Sequence, residues 1–197
     1  LNFYPKSPRY LPPEAARRLI DDLRGAVGPD HCPLLVGVFV NTGAAEITEI
    51  MQIAGLDAAQ LSGDESADVV AALAGRVIKA IRPRSPEETI SAAGVYLPYA
   101  AVDDRLPSLL VDAYHKELYG GTGEQAGLDV ALAARQIAPR LMLAGGLTPE
   151  NVAGRVRAVH PWGVDVASGV ERDQPGRKDQ ERVQAFISAV REVNDGL

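Results

Sequence analysis

Short apolar runs alternate with longer amphipathic ones along almost the whole chain. The apolar runs are LNFY (1–4), LLVGVFV (34–40), DAAQL (57–61), RVIKAI (76–81), SLLVD (108–112), LMLA (141–144) and GVDVA (163–167). Their apolar positions run on without strict alternation, the pattern of parallel strands covered on both faces. Between them the spacing predicts helices. One begins near PPEAARRLIDDLRGAV, with Pro12 and Pro13 at its N-terminus. The next lies in NTGAAEITEIMQIAG, capped by Asn41 or Thr42 and ended by Gly55. Further helices are expected in SGDESADVVAALAG, in SPEETISAAG behind a Ser85 cap, and in LDVALAARQIA. TPENVAGRVRAV reads as a helix with Thr148 as cap and Pro149 in first position, and DQERVQAFISAVREV as the last.

Seven strand–helix units in strict alternation predict a parallel α/β fold. An open doubly wound sheet usually carries a GxGxxG or P-loop after its first strand, and neither motif occurs. Polar and glycine residues instead follow nearly every strand, as in a closed barrel whose site is built from all its loops. A complete barrel of this kind has eight units. The chain opens on Leu1, inside a strand-like run, so the expectation is a (β/α)8 barrel in one domain, 1–197, lacking its first strand and helix.

Composition narrows the function. Of 197 residues 46% are hydrophobic and 23% charged, ordinary values for a soluble globular protein. The formal net charge of −6 argues against nucleic acid or an anionic membrane as main partner, but allows a small anionic ligand. Cys32 is the one cysteine, which excludes an intrachain disulfide and favours a reducing cytosol. No apolar run approaches membrane-spanning length.

Chemistry is expected at the strand ends. Gly145 and Gly146 follow one strand and Ser168 and Gly169 the next, the last two in the chain. In such barrels these loops commonly bind phosphate through backbone N–H groups, and glycine lets the backbone approach an anion. Asp112 ends its strand and reads either as a general acid or as an aspartate bonding the amides of its own loop. Lys6 and Arg9, in YPKSPRY, supply either a carboxylate grip or a solvated basic loop. YGGTGE (119–124) reads as a lid or a plain surface loop. Cys32 lies before its strand and reads as a buried structural thiol. His31, His115 and His160 lack ligand-like spacing, so no metal is expected, and Trp162 reads as core packing.

The segments FYPKSPRY, VGVFVN, QLSGDE, VDAY…YGGTGE, LAGGLTPENV and VRAVHPWGVDVASGVE…PGRKD together resemble phosphoribosylanthranilate isomerase of tryptophan biosynthesis, nearly end to end. The resemblance implies a (β/α)8 barrel that converts N-(5-phosphoribosyl)anthranilate to 1-(2-carboxyphenylamino)-1-deoxyribulose 5-phosphate by an Amadori rearrangement, without cofactor or metal. It implies that Asp112 is the general acid, that Arg9 contacts the anthranilate end, and that Gly145, Gly146, Ser168 and Gly169 bind phosphate. The family's general base is a cysteine at the end of the first strand, within a KICG-like motif absent here; Cys32 matches no motif position. Ser62 stands where the family usually has His. AGLD replaces the family's FDW, which leaves the equivalence of Asp129 open.

The leading expectation is therefore a cytoplasmic isomerase, monomer or homodimer, acting on a phosphorylated sugar–anthranilate, with turnover impaired by the missing base. The alternatives are a non-catalytic interaction protein with a vestigial anion site, and another sugar-phosphate barrel enzyme such as indoleglycerol-phosphate synthase.

Overall fold

Among the described residues, strands consecutive in sequence pair in parallel within each folding unit. The fold is a computed structural model that describes residues 1–112 and 121–194. It divides into two compact units, Leu1–Ala80 with Pro98–Leu106, and Ile81–Leu97 with Pro107–Leu197. Among the described residues no helix is long and apolar enough to cross a membrane.

In the first unit, residues 1–3 lie parallel to β1 (Val36–Phe39): the Leu1 nitrogen donates to the Val36 carbonyl at 2.8 Å, and the Phe3 amide to Val38 at 2.9 Å. Phe3 stacks on Phe39 with ring centroids 5.3 Å apart. β1 pairs with β2 (Ala58–Leu61), and β2 with β3 (Val77–Ile81), setting Phe39 opposite Leu61 and Leu61 opposite Lys79. Helix α1 (Pro13–Val27) buries Ala16 and Ile20, and α2 (Ala44–Ala54) buries Ile47, Met51 and Ala54. These three- and four-residue spacings form one apolar stripe per helix. As expected, Pro12 and Pro13 open α1, and Gly55, in the left-handed region, closes α2. The cap of α2 is Gly43, however, and no side chain bonds its amides. Asn41 is occupied elsewhere, its Oδ1 accepting from the Asp64 amide at 2.7 Å.

In the second unit, β4 (Leu109–Asp112), β5 (Leu141–Ala144) and β6 (Gly163–Val164) form a parallel ladder. α4 (Pro86–Tyr96), α5 (Gly121–Ile137), α6 (Val152–Val159) and α7 (Gln180–Asn194) complete the unit. Leu109, Val111, Leu141 and Leu143 pack with Ala93, Val130, Ala134 and Val159, while Leu147, Val152, Val156 and Phe186 form a second cluster. Ser85 caps α4 as expected, receiving the Glu88 amide at 3.3 Å while Glu88 accepts the Arg84 amide at 2.7 Å.

Four further expectations need correction. Residues 121–124 of YGGTGE belong to α5 rather than to a loop, whereas Tyr119, Gly120 and His115 lie outside the described residues. Thr148 does not cap α6, which starts at Val152, because Asn151 takes the turn by accepting the Thr148 amide on Oδ1 at 2.8 Å. Trp162 is 43% exposed, since it precedes the β6 ladder and lies outside both core clusters of its unit. Cys32 is only half-buried, in the segment leading to β1.

Six of the seven predicted apolar runs recur as strands, GVDVA only as Gly163–Val164, while LNFY forms a single bridge beside β1, at Asn2; two of the runs carry charges inside them. Lys79 is 4% exposed within β3. Its ammonium donates to the carbonyls of Leu61 and Gly63 at 3.2 and 2.6 Å and to Glu65 Oε2 at 2.8 Å. Glu65, also 4% exposed, further accepts the Asn41 and Gly63 amides. This pair ties the loops after β1 and β2 to β3, and it explains why α3 (Ala67–Ala72) starts late. Burial pushes the Glu65 carboxyl up, but the Lys79 bond, the amides and the Lys79 charge outweigh it, so its pKa lies below 4.5.

Lys79→Met leaves a buried carboxylate without its counter-ion, and urea denaturation should show a loss of about 3–5 kcal/mol. A Lys79→Met/Glu65→Leu double variant should recover much of it; a single-variant loss below about 1 kcal/mol would contradict the assignment. Because the Glu65 pKa is depressed, the pair's contribution is full above pH 4.5 and is lost as the pH falls below that value.

Candidate functional site

The carboxyl ends of β4, β5 and β6 meet in one row. Asp112 is opposite Ala144, and Leu143 opposite Val164; the Asp165 amide extends the ladder by donating to the Leu143 carbonyl at 2.8 Å. Neighbouring positions in a parallel ladder share a face. Asp112, Ala144 and Asp165 therefore lie in one row, the two aspartates two strand spacings, about 10 Å, apart. Between them the methyl group of Ala144 leaves room. Arg82 Nε donates to Asp112 Oδ2 at 3.2 Å and orients that carboxyl from the start of the loop after β3.

The loops that leave β5 and β6 are built from bare backbone. Gly145 and Gly146 both adopt positive φ, 103° and 61°, which residues with side chains rarely do. Gly169 lies within a 3-10 turn, Ser168–Val170, and a Cβ there would collide with the Leu147 carbonyl oxygen. Only glycine lets the two loops approach this closely. Among the described residues, the amides of Gly146, Leu147, Ser168 and Gly169 donate to no protein acceptor. Their carbonyls, by contrast, are held. Asn151 Nδ2 donates to the Gly146 carbonyl at 3.0 Å, and Arg182 reaches the Gly169 carbonyl with Nε and Nη2 at 3.0 and 2.9 Å. A cluster of unbonded amides is an anion-binding arrangement.

Asp165 makes no hydrogen bond through its carboxyl among the described residues. Its surface is open, yet protein surrounds the group, and this desolvation raises its pKa. The Lys178 charge opposes the shift and the Asp112 charge adds to it.

The remaining candidates are distributed elsewhere. Lys6 is exposed and Arg9 half-buried in a turn of the first unit, where the Ser7 hydroxyl receives the Arg9 amide at 3.1 Å. Ser62 is 8% exposed, its hydroxyl accepting from Gln60 Nε2 at 3.1 Å, so it packs as a core residue. Asp129 is exposed on α5. His31 ends a 3-10 turn, and His160 ends α6 in the left-handed region at φ 49°. Among the described residues no three His, Cys, Asp or Glu side chains converge as metal ligands.

Sequence reasoning passed over Arg82, Asn151, Asp165, Lys178 and Arg182. Asp165 did leave a signal: GVDVA carries a charge where a covered strand should be apolar, just as LLVD does. The other four act through contacts that no spacing discloses.

Known proteins give the same architecture. A family model described as N-(5'-phosphoribosyl)anthranilate isomerase matches residues 2–189. The isomerase of that name from Geobacter sp. strain M21 is 40% identical over 192 residues, covering 98% of this chain and 86% of the relative. That from Myxococcus xanthus is 42% identical over 197 residues, covering 98% and 85%. The crystal structure of phosphoribosyl anthranilate isomerase from Thermotoga maritima superposes with a TM-score of 0.77 at 34% identity, over 100% of this chain and 87% of the other. A further structure of such an isomerase, in complex with reduced 1-(o-carboxyphenylamino)-1-deoxyribulose 5-phosphate, gives 0.75 at 31% identity, covering 98% and 86%.

Because the native Asp165 carboxyl binds its proton more tightly than the unfolded chain does, this group's contribution to stability falls as the pH rises above about 3.8. Asp165→Asn should therefore raise the melting temperature at pH 7, and the gain should vanish well below pH 3.8. A lower melting temperature at pH 7 would contradict the strained carboxyl.

Proposed function

The chain belongs to the N-(5'-phosphoribosyl)anthranilate isomerase family of tryptophan biosynthesis, and from that membership we propose that it converts N-(5-phosphoribosyl)anthranilate to the corresponding 1-deoxyribulose 5-phosphate. The (β/α)8 barrel of the resemblance is part of this reading. The observation that carries it is the second unit's row of strand ends, where Asp112 adjoins loops rich in unbonded amides.

The substrate is anionic at both ends. Its phosphate is assigned to the backbone of Gly145, Gly146, Ser168 and Gly169, where amides bind without the desolvation cost of burying a lysine. Its anthranilate carboxylate is assigned to Arg9, whose guanidinium offers a bidentate fork, with Lys6 adding positive potential. The ribose is assigned to the ends of β4 and β5, beside Asp112.

Asp112 is assigned the role of general acid. It gives its proton to the ring oxygen as the C1–O bond breaks, and the nitrogen lone pair forms the C1=N iminium. Arg82, 3.2 Å from the carboxyl, stabilises the carboxylate left behind. Loss of the C2 proton gives an enolamine, which becomes the ketone when C1 is protonated and the C2 hydroxyl gives up its proton. No residue of this chain is assigned the C2 proton. Cys32 is unsuited, because it precedes β1 and lies at the opposite end of that strand from the loops. Among the subordinate expectations, impaired turnover, a vestigial binding role and an indoleglycerol-phosphate synthase gain no support from the matched proteins.

Asp112→Asn should lower kcat by about 10²–10⁴, the usual contribution of a general acid, as measured by substrate consumption. Affinity for the reduced aminoketose phosphate should stay within about threefold. Unchanged turnover would remove Asp112 from this role, and absence of both turnover and binding in the unmodified protein would overturn the reading.

A further inference from the structure

An amide points where its own carbonyl does not. In a trans peptide the C=O and N–H lie on opposite sides of the C–N bond, so a side chain that holds the carbonyl also aims the amide. The Ala167–Ser168 peptide is held in this way by Lys178. Its Nζ donates to the Ala167 carbonyl at 2.8 Å and to Glu171 Oε1 at 3.0 Å. Glu171 is itself fixed: its side chain is 5% exposed and also accepts the Gly176 amide at 2.9 Å, and its backbone bridges that of Lys178. The ammonium, on a side chain 43% exposed, thus bridges a carboxylate and a carbonyl. Ala167, with φ −116° and ψ −83°, is neither helical nor extended, so regular hydrogen bonding does not set the direction of this peptide. The Ser168 amide on its far side donates to nothing among the described residues.

We infer that Lys178 is a positioning residue for the substrate phosphate, holding the Ala167–Ser168 peptide so that the Ser168 amide faces the anion. This rests on the phosphate assignment above and deepens it. Asn151 and Arg182 hold neighbouring peptides by the same geometry, but Lys178 alone of the three also places its charge on Asp165. It acts through the backbone, so its removal should weaken recognition of the phosphate and spare recognition of the rest of the ligand.

The test is calorimetric titration of the whole chain with the reduced aminoketose 5-phosphate and with the same compound lacking phosphate. The unmodified protein should prefer the phosphorylated form. Lys178→Met should reduce affinity for it about tenfold, as loss of an oriented hydrogen bond to an anion implies, and leave the dephosphorylated form within about twofold. Lys178→Arg, which can still reach the carbonyl, should restore most of the difference. Equal binding of the phosphorylated form by Lys178→Met, or an equal loss for both forms, would overturn the inference. No preference in the unmodified protein would overturn the phosphate assignment itself, and the inference with it.

Discussion

Parallel pairing of consecutive strands is the constraint from which the candidate site follows. When neighbouring strands run the same way, their carboxyl ends gather on one edge of the ladder, and the loops they release start side by side. In the second unit this sets Asp112 beside Ala144 and carries the ladder on to Asp165. Slipping β5 by one residue would turn Ala144 away from Asp112 and displace Gly145 and Gly146. The site therefore depends on the register of the ladder, and the register depends on Leu141 and Leu143 remaining in the core.

Two carboxylates show how differently the fold treats charge. Glu65 is buried but fully served: Lys79 and two backbone amides surround it, and its pKa falls. It organises the loops of the first unit. Asp165 has no such partners among the described residues, and its pKa rises. A group kept under-bonded at a strand end costs stability, and such groups concentrate where ligands supply the missing partners. Lys178 moderates that cost by its charge while it holds the Ala167 carbonyl.

Much of the fold was legible because parallel strands and amphipathic helices leave strong periodic signals. Six of the seven apolar runs, the Pro12–Pro13 start, the Gly55 stop and the Ser85 cap all recur in the structure. Helix starts were misread where a side chain had a better offer elsewhere: Asn41 bonds the Asp64 amide and Asn151 organises the turn after β5. The candidate site was legible in its glycines and in Asp112, since both occupy positions fixed by the strand ends. Its supporting residues were not. Arg82, Lys178 and Arg182 reach their partners across 30, 11 and 13 residues respectively, and such contacts exist only once the chain is folded. Trp162 misled because bulk alone suggests burial, although its position ahead of β6 leaves it exposed.

Nitrogen-15 chemical-shift mapping during titration with the reduced aminoketose phosphate probes most directly whether bare amides of the β5 and β6 loops hold the ligand. The largest downfield amide-proton shifts should fall on Gly145, Gly146, Ser168 and Gly169, because a phosphate oxygen newly accepts from them. Saturable binding that leaves those four resonances in place, or moves only residues outside the second unit, would contradict the account.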